Sequence, residues 1–211
     1  MSNSRFEIPA GVERVCLLIR HSEAPKQGGN HNKTLTAAGA NLAQDCATFY
    51  DQVFDQITPQ FGEPSFHCSE FPRSLITAWE LFEAEVITSE PALKVHASLT
   101  EINGGEWFKG QGAAGKGEPE IIRTFLADPG LMTDSFRKYA KEYTDFITGK
   151  SGSNPTGKFV VGVCHEAGIS LAARGLLVDE QLGMDKCDGV LFFVAGGVII
   201  GAEKVAPVNE R

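Results

Sequence analysis

Apolar residues gather along the chain in short continuous runs, separated by segments with a helical spacing. Val15 to Ile19 and Phe159 to Cys164 are the clearest runs, and such runs are typical of strands buried on both faces of a sheet. Glycines at 196 and 197 divide the apolar tail, 189–205, into two further strands. The predicted strands are 15–19, 65–69, 93–97, 159–164 and two within 189–205.

Segments with apolar residues three to four positions apart lie between these strands. Thr36 is predicted to cap the first helix, which ends near Val53, because its side-chain oxygen can accept a hydrogen bond from the first turn. Further helices are predicted at 72–85, 119–126, 133–148 and 167–178. Strands that alternate with helices predict an α/β fold, with three layers and a mixed, mostly parallel sheet flanked by helices. The length of 211 residues favours a single domain over 1–211.

The charge of the chain narrows the classes of partner. Lys and Arg number 19 against 27 Asp and Glu, so the formal net charge is −8, and no basic run is present. Proteins that bind nucleic acid usually carry a basic face, so we predict no nucleic-acid partner. A small anionic substrate stays possible, because it responds to the local field of a pocket rather than to net charge.

Compartment is indicated by the apolar runs and the cysteines. No apolar run reaches the length of a membrane span, and residues 1–14 lack the apolar stretch of a signal peptide. The cysteines are odd in number and form no C-x-x-C pair, which favours buried free thiols in a reducing compartment over disulfides or a zinc site. They are Cys16, Cys46, Cys68, Cys164 and Cys187. We therefore expect a cytoplasmic protein without a membrane partner, whereas no pattern predicts its oligomeric state.

Two of the predicted buried strands run directly into a histidine. Arg20 and His21 follow the first strand, and His165 follows the strand 159–164. Because ligands of open α/β sheets bind at the carboxyl ends of the strands, we expect both histidines in one pocket. Arg73 begins the helix after the second strand and is expected at the same edge, where a helix N-terminus favours an anion.

Two histidines and two arginines at one point predict a phosphate site that needs neither a metal nor an organic cofactor. Arginine binds phosphate oxygens through two parallel N–H groups. A histidine can attack phosphorus to form a covalent intermediate, while the cations stabilise the charge in transit. Glu101 follows the third predicted strand and is placed to protonate the leaving oxygen.

Five short blocks of the sequence form an ordered set of motifs. Arg20-His21-Ser22-Glu23 resembles R-H-G-E. The other blocks are Leu35 to Gly39, similar to L-T-x-x-G; Cys68 to Ala78, similar to S-S-P-L-x-R-A-x-x-T-A; Leu99 to Gly110, similar to L-x-E followed by G-x-W-x-G; and Val163 to Ile169, similar to V-x-H-G-x-x-I. In this order they resemble the histidine phosphatase superfamily (phosphoglycerate mutase-like, branch 1).

The resemblance implies a phosphoglycerate mutase-like fold and a metal-independent phosphatase that forms a phosphohistidine. His21 would be the nucleophile and Glu101 the proton donor. Arg20, Arg73 and His165 would bind the phosphate group. The substrate would be a phosphorylated small molecule or a phosphoprotein.

The sequence departs from the family pattern at several positions. Ser22 and Glu166 stand where glycine is usual, and Glu70 stands where proline is common. The loop after Glu23 lacks the Trp-Asn pair of phosphoglycerate mutases, which favours hydrolysis. The alternatives are a phosphoglycerate mutase-type phosphotransferase and a non-catalytic phospholigand-binding protein that retains the pocket.

Some polar residues stand outside the core of these motifs. Ser22, Glu23 and Lys33 are candidates for binding substrate at the mouth of the pocket. The remaining histidines are interpreted as structural or solvent-facing: His31, His67 and His96.

A second motif, Gly110 to Lys116, fits the start of a nucleotide-binding P-loop. Gly117 replaces the Ser or Thr that would hold magnesium, and no buried strand precedes the motif. We expect a flexible loop at this position, near the mouth of the pocket.

Overall fold

A computed structural model of the chain describes residues 6–25, 33–88, 93–99, 111, 114–116, 118–128, 134–150 and 155–207. Within these ranges one sheet forms the middle layer. Its strands are β1 (Arg14–Arg20), β2 (Ser65–Cys68), β3 (Lys94–Val95), β4 (Phe159–Cys164), β5 (Gly189–Ala195) and β6 (Val198–Val205). Their order across the sheet is β3-β2-β4-β1-β5-β6. The first four in this order are parallel, whereas β5 and β6 are antiparallel, so the predicted mixed, mostly parallel sheet is confirmed.

The register of the central strands places the predicted histidines side by side. Residues of β1 and β4 are paired from Val15 with Phe159 to Arg20 with Cys164. The residues after these two strands therefore leave the sheet next to one another, and they are His21 and His165. The first strand also pairs with β5, which runs in the opposite direction and so begins at this same edge.

Five helices flank the sheet in the described ranges. They are α1 (Ala37–Phe61), α2 (Pro72–Thr88), α3 (Glu118–Ala127), α4 (Asp134–Thr148) and α5 (Glu166–Ala173). Alternate residues of β1 point to two separate cores, and Leu17 belongs to one while Leu18 belongs to the other. The core of Leu17 is completed by α1 and α2, and the core of Leu18 by α3, α4 and α5. The predicted three layers are thereby confirmed.

The limits of two helices differ from the prediction by five residues or more. The first helix continues beyond Val53 to Phe61, because Phe54, Ile57 and Phe61 extend its buried face past the polar residues between them. The helix predicted to end near residue 178 stops at Ala173, because Arg174 leaves the helical path with a ψ of 127° and Gly175 then takes a positive φ of 79°.

The structure also gives the state of the cysteines and the apolar length of the helices. All five cysteines are buried free thiols. No helix in the described ranges is both long and apolar enough to cross a membrane.

Candidate active site

Two buried histidines face each other at the carboxyl edge of the sheet. His21 follows β1 and His165 follows β4, and their ring centroids are 5.2 Å apart in an edge-on arrangement. The two residues are 8% and 2% exposed, respectively. Two imidazoles this close and this dehydrated are unfavourable as a pair of cations, so the site favours their neutral forms.

The hydrogen bonds of His21 fix its tautomer. Its Nδ1 lies 2.6 Å from the backbone oxygen of Ser22. A carbonyl oxygen can only accept, so Nδ1 carries the proton and Nε2 keeps a lone pair. The Nε of Arg73 donates to this Nε2 over 3.1 Å. The nitrogen that faces the pocket is therefore nucleophilic in form and lies beside a guanidinium group.

Arg73 bridges the two histidines from the first turn of α2. Its Nη2 lies 3.5 Å from Nδ1 of His165, in addition to the bond from its Nε to His21. The guanidinium carbon is 4.6 Å from the ring centroid of Phe71, whose π-face supports the cation. Arg73 is only 3% exposed. Its orientation is thus set by three aromatic rings before any ligand is bound.

The second histidine has the opposite tautomer. Arg73 is purely a donor, so Nδ1 of His165 accepts and its proton lies on Nε2. That Nε2 donates to the hydroxyl oxygen of Ser69 over 2.9 Å. Ser69 is fully buried at the end of β2, so a third strand end contributes to the site.

Arg20 forms a buried ion pair with an acidic residue. Its Nη1 lies 3.0 Å from Oε2 of Glu166, and both side chains are buried. The same Nη1 donates to the backbone oxygen of Met184. The other oxygen of Glu166 accepts from the backbone N–H of Met184 at 3.2 Å. The glutamate that replaces the usual glycine therefore balances the charge of Arg20 with buried hydrogen bonds.

The L-T-x-x-G block supports the loop that carries the nucleophile. Thr36 caps α1 by accepting from the N–H of Gly39, and its own N–H donates to the backbone oxygen of Glu23 at 3.0 Å. A Cβ on Gly39 would lie 2.2 Å from that same oxygen, so only glycine fits. The hydroxyl of Ser22 donates to the oxygen of Gly39 over 2.6 Å.

Ser22 thus belongs to the frame of the pocket. It is fully buried, and its backbone N–H donates to the hydroxyl of Thr77 on α2 at 2.9 Å. Its hydroxyl does not stand at the substrate mouth, where the sequence had made it a candidate, because it is turned inward to Gly39.

The remaining predicted residues are placed as follows. Glu23 is exposed, Lys33 is half-buried before α1, and Glu70 is exposed at the start of the turn into α2. Glu101 lies outside the described residues, as does most of the glycine-rich segment 104–117, so the predicted proton donor and loop stay predictions. Within the described ranges, no group of three His, Cys, Asp or Glu side chains could hold a metal ion.

Burial and neighbouring cations keep both histidines neutral. Burial lowers the pKa of His21 well below its ordinary value of 6.5, and the positive charges of Lys186, Arg73 and Arg20 lower it further. The pKa of His165 is lowered well below 6.5, chiefly by burial and then by His21 and Arg73. The nucleophilic form of His21 is therefore present without a separate base.

Lys186 is the charged neighbour that the sequence did not indicate. Its positive charge lowers the pKa of His21. It precedes β5, and no sequence pattern indicated that β5 begins at the edge where β1 ends. Had the tail strand been predicted to pair antiparallel with β1, Lys186 would have been expected near His21.

The fold was compared with those of known proteins. No model of a protein family matches the sequence, and no curated protein matches it. Among solved structures, a phosphoserine phosphatase from Entamoeba histolytica in complex with 3-phosphoglyceric acid is 19% identical, with a TM-score of 0.60. The match covers 92% of this chain and 98% of that one. A phosphoglycerate mutase from Bacillus anthracis is 17% identical with a TM-score of 0.61, over 92% of this chain and 94% of that one.

A mycobacterial glucosyl-3-phosphoglycerate phosphatase is similar in the same way. It is 18% identical with a TM-score of 0.60, and the match covers 92% of this chain and 97% of that one. All three structures are members of the histidine phosphatase superfamily. The chain has the fold of that superfamily, so the predicted phosphoglycerate mutase-like fold is confirmed.

Proposed function

We propose that the protein is a metal-independent phosphatase, in one domain, that hydrolyses a phosphomonoester or phosphoprotein through a phosphohistidine at Nε2 of His21. The observation that carries this proposal is the state of that nitrogen. It is unprotonated, because Nδ1 donates to Ser22, and it is paired with the cation of Arg73. A nucleophile of this kind needs no activation by a metal or by a separate base.

In the first step the lone pair of Nε2 attacks phosphorus and the bond from phosphorus to the ester oxygen breaks. The imidazole becomes a phosphorylated cation, which the backbone oxygen of Ser22 stabilises through the Nδ1 hydrogen bond. Arg73 turns from the histidines to the phosphoryl oxygens, where charge gathers in the transition state. The leaving oxygen takes its proton from Glu101 as the predicted donor.

In the second step water attacks phosphorus and the bond from phosphorus to Nε2 breaks. The water proton returns to the carboxylate of Glu101, and the lone pair returns to His21. His165 holds a phosphoryl oxygen in both steps, because an arriving anion raises its lowered pKa and favours the doubly protonated ring.

The fold is compatible with hydrolysis and with transfer, since solved structures that share it include phosphatases and a mutase. Hydrolysis is favoured because the loop after Glu23 lacks the Trp-Asn pair of phosphoglycerate mutases. Glu166 favours one further candidate, a phospholigand-binding protein without turnover. Its carboxylate pairs with Arg20 and so reduces the positive charge that Arg20 offers to a transition state.

The test is turnover of para-nitrophenyl phosphate in excess EDTA, with wild type beside His21→Asn. Reactions are quenched without acid, and intact mass spectrometry detects phosphate bound covalently to the protein. A parallel reaction in oxygen-18 water labels the released phosphate. We expect turnover and an adduct in wild type, one labelled oxygen per phosphate, and neither turnover nor adduct in the variant. His96→Asn, a histidine outside the pocket, is the matched control and keeps both.

Three results would decide against the proposal in different ways. Turnover by His21→Asn would exclude the nucleophile. An adduct that persists in water but moves to an added alcohol acceptor would establish a phosphotransferase. Phosphate binding without an adduct, across panels of phosphometabolites and phosphopeptides, would establish the binding protein.

A further inference from the structure

A tight turn before β5 lies next to the residue that precedes the nucleophile. Residues 185–188 form the turn, in which the N–H of Asp188 donates to the oxygen of Asp185 at 3.1 Å. The N–H of Asp185 donates back to Oδ2 of Asp188 at 2.8 Å, so the turn is closed twice. Lys186 occupies its second position.

The turn is tied to the residue that precedes the nucleophile. The N–H of Cys187 donates to the oxygen of Arg20 at 3.2 Å, and the N–H of Arg20 donates to the oxygen of Asp188 at 2.8 Å. Lys186 directly precedes Cys187 in the chain, and Cys187 is hydrogen-bonded to Arg20. Arg20 in turn directly precedes His21. Its position relative to the nucleophile is set by backbone bonds rather than by a flexible loop.

The backbone at the turn is held in an unusual conformation. Cys187 has a φ of 64°, which non-glycine residues rarely adopt. Its fully buried side chain and the 2.5 Å hydrogen bond from the hydroxyl of Tyr50 to its oxygen hold it there. Such conformations persist where the surroundings impose them, often at binding sites. Here the imposed conformation fixes the residue beside it, Lys186.

The charge of a bound phosphate group favours a further cation in this pocket. Glu166 balances Arg20 at 3.0 Å, whereas Arg73 faces both histidines. A phosphoryl group carries close to two negative charges near neutral pH, more than one guanidinium balances. The backbone bond from Cys187 to Arg20 places Lys186 beside the segment that carries the nucleophile. The positive charge of Lys186 lowers the pKa of His21 and, to a smaller degree, that of His165.

We propose that Lys186 is a phosphate-positioning residue, whose ammonium group contacts a phosphoryl oxygen of the substrate beside Arg73 and makes up for the charge that Glu166 balances on Arg20. The inference rests on the proposed function only in taking the pocket of His21 as the phosphoryl site. It concerns the binding of the anion, whereas the proposed function concerns the covalent step.

The test compares Lys186→Met, Lys186→Arg and the remote surface variant Lys138→Met. Affinity for inorganic phosphate is measured by calorimetry, and the pKa of His21 by NMR of histidine-labelled protein without ligand. We expect Lys186→Met to weaken phosphate binding about tenfold and to raise the pKa of His21, because a nearby cation is lost. Lys186→Arg restores binding to within about threefold, and Lys138→Met changes neither quantity.

Phosphate affinity in Lys186→Met equal to wild type would overturn the inference, as would an unchanged pKa of His21. Equal loss in Lys186→Met and Lys186→Arg, with reduced thermal stability in both, would assign Lys186 a merely structural role. The proposed function is judged separately by the adduct on His21. If Lys186→Met forms the adduct and binds phosphate as tightly as wild type, only the inference is overturned. If wild type forms no adduct but Lys186→Met shows the expected loss of phosphate affinity, only the proposed function is overturned.

Discussion

Nε of Arg73 donates a hydrogen bond of 3.1 Å to Nε2 of His21, so the cation that would hold the phosphoryl group is bonded to the atom that would attack it. The bond directs the lone pair of Nε2 at the guanidinium group of Arg73. It must break when phosphorus approaches, and Arg73 then bonds to phosphoryl oxygens instead. The exchange replaces hydrogen bonds to neutral ring nitrogens by hydrogen bonds to negatively charged oxygens, which favours the bound state.

Replacement of this arginine gives the first prediction. Arg73→Met is expected to lower kcat/KM for an aryl phosphate by about 100-fold or more, because a cation aimed at the transition-state charge is lost. The pKa of His21 is expected to rise, since the positive charge of Arg73 lowers it. The acid limb of the pH profile therefore moves to higher pH. Steady-state kinetics between pH 4.5 and 7.5 measure both effects.

Arg137→Met is the matched control, because Arg137 is an exposed arginine on α4. It is expected to leave both the rate and the acid limb unchanged. An acid limb in Arg73→Met at the wild-type pH would contradict the assigned contact.

A second prediction concerns the glycine under the nucleophile loop. Gly39→Ala places a Cβ 2.2 Å from the backbone oxygen of Glu23, so residues 22 and 23 must shift. Because Ser22 fixes the tautomer of His21, a shift on the order of 1 Å is expected to lower kcat about 100-fold. Gly201→Ala is the control, since a Cβ there meets Phe193 at an ordinary 3.5 Å. Full activity in Gly39→Ala would show that the loop adapts.

A third prediction separates stability from binding at Glu166. Its two oxygens accept from Arg20 and from Met184, and a glutamine has only one oxygen to offer. Glu166→Gln is therefore expected to lower the free energy of unfolding by about 1–3 kcal/mol. The charge of Arg20 is no longer balanced, so affinity for inorganic phosphate is expected to rise on the order of fivefold.

Urea denaturation and calorimetry measure the two effects of Glu166→Gln. Glu142→Gln removes an exposed carboxylate of α4 and is expected to change neither quantity. Weaker phosphate binding in Glu166→Gln would mean that the ion pair positions Arg20 for the ligand instead of restraining it.

The fourth prediction is a loss of stability in acid through His67. This histidine is 2% exposed, and burial, with the charges of His96 and Lys94, lowers its pKa to about 3. The folded state therefore favours the neutral ring. Its contribution is complete above the unfolded pKa near 6.5 and is lost as the pH falls from there toward 3. At pH 5 the loss amounts to about 2 kcal/mol.

Urea denaturation of wild type and His67→Phe at pH 7.5 and pH 5 tests this origin. The phenylalanine keeps a ring against Phe146, whose centroid lies 5.6 Å from that of His67. We expect the difference between the two pH values to shrink by about 2 kcal/mol in the variant. An unchanged difference would assign the acid loss to the other buried histidines.

The central strands and the histidines after them could be predicted from sequence because their signals are local. A short continuous apolar run is typical of a strand buried on both faces, as observed for β1 from Val15 onward and for β4. The cap at Thr36 is equally local. The end of α1 could not be read, since Phe54 and Ile57 are separated by polar residues and are buried only through the neighbouring helix and sheet.

The surroundings of the nucleophile needed long-range pairing. Lys186 is 165 positions after His21 in the chain, and no sequence period links them. The partnership of Glu166 with Arg20 depends on where the backbone of Met184 passes. The sequence marked Glu166 as a departure from the family, whereas only the structure gives its partner.

The position of β1 between β4 and β5 has a consequence for the folding of the chain. Val15 pairs with Phe159 on one side and with Phe193 on the other. Neither neighbour exists until most of the chain has left the ribosome, and contacts at such separation slow folding. Until then β1 is a long apolar strand with both edges open, which invites wrong pairing. The pocket therefore forms late in folding, and any activity of the pocket requires that all strands beside β1 have paired.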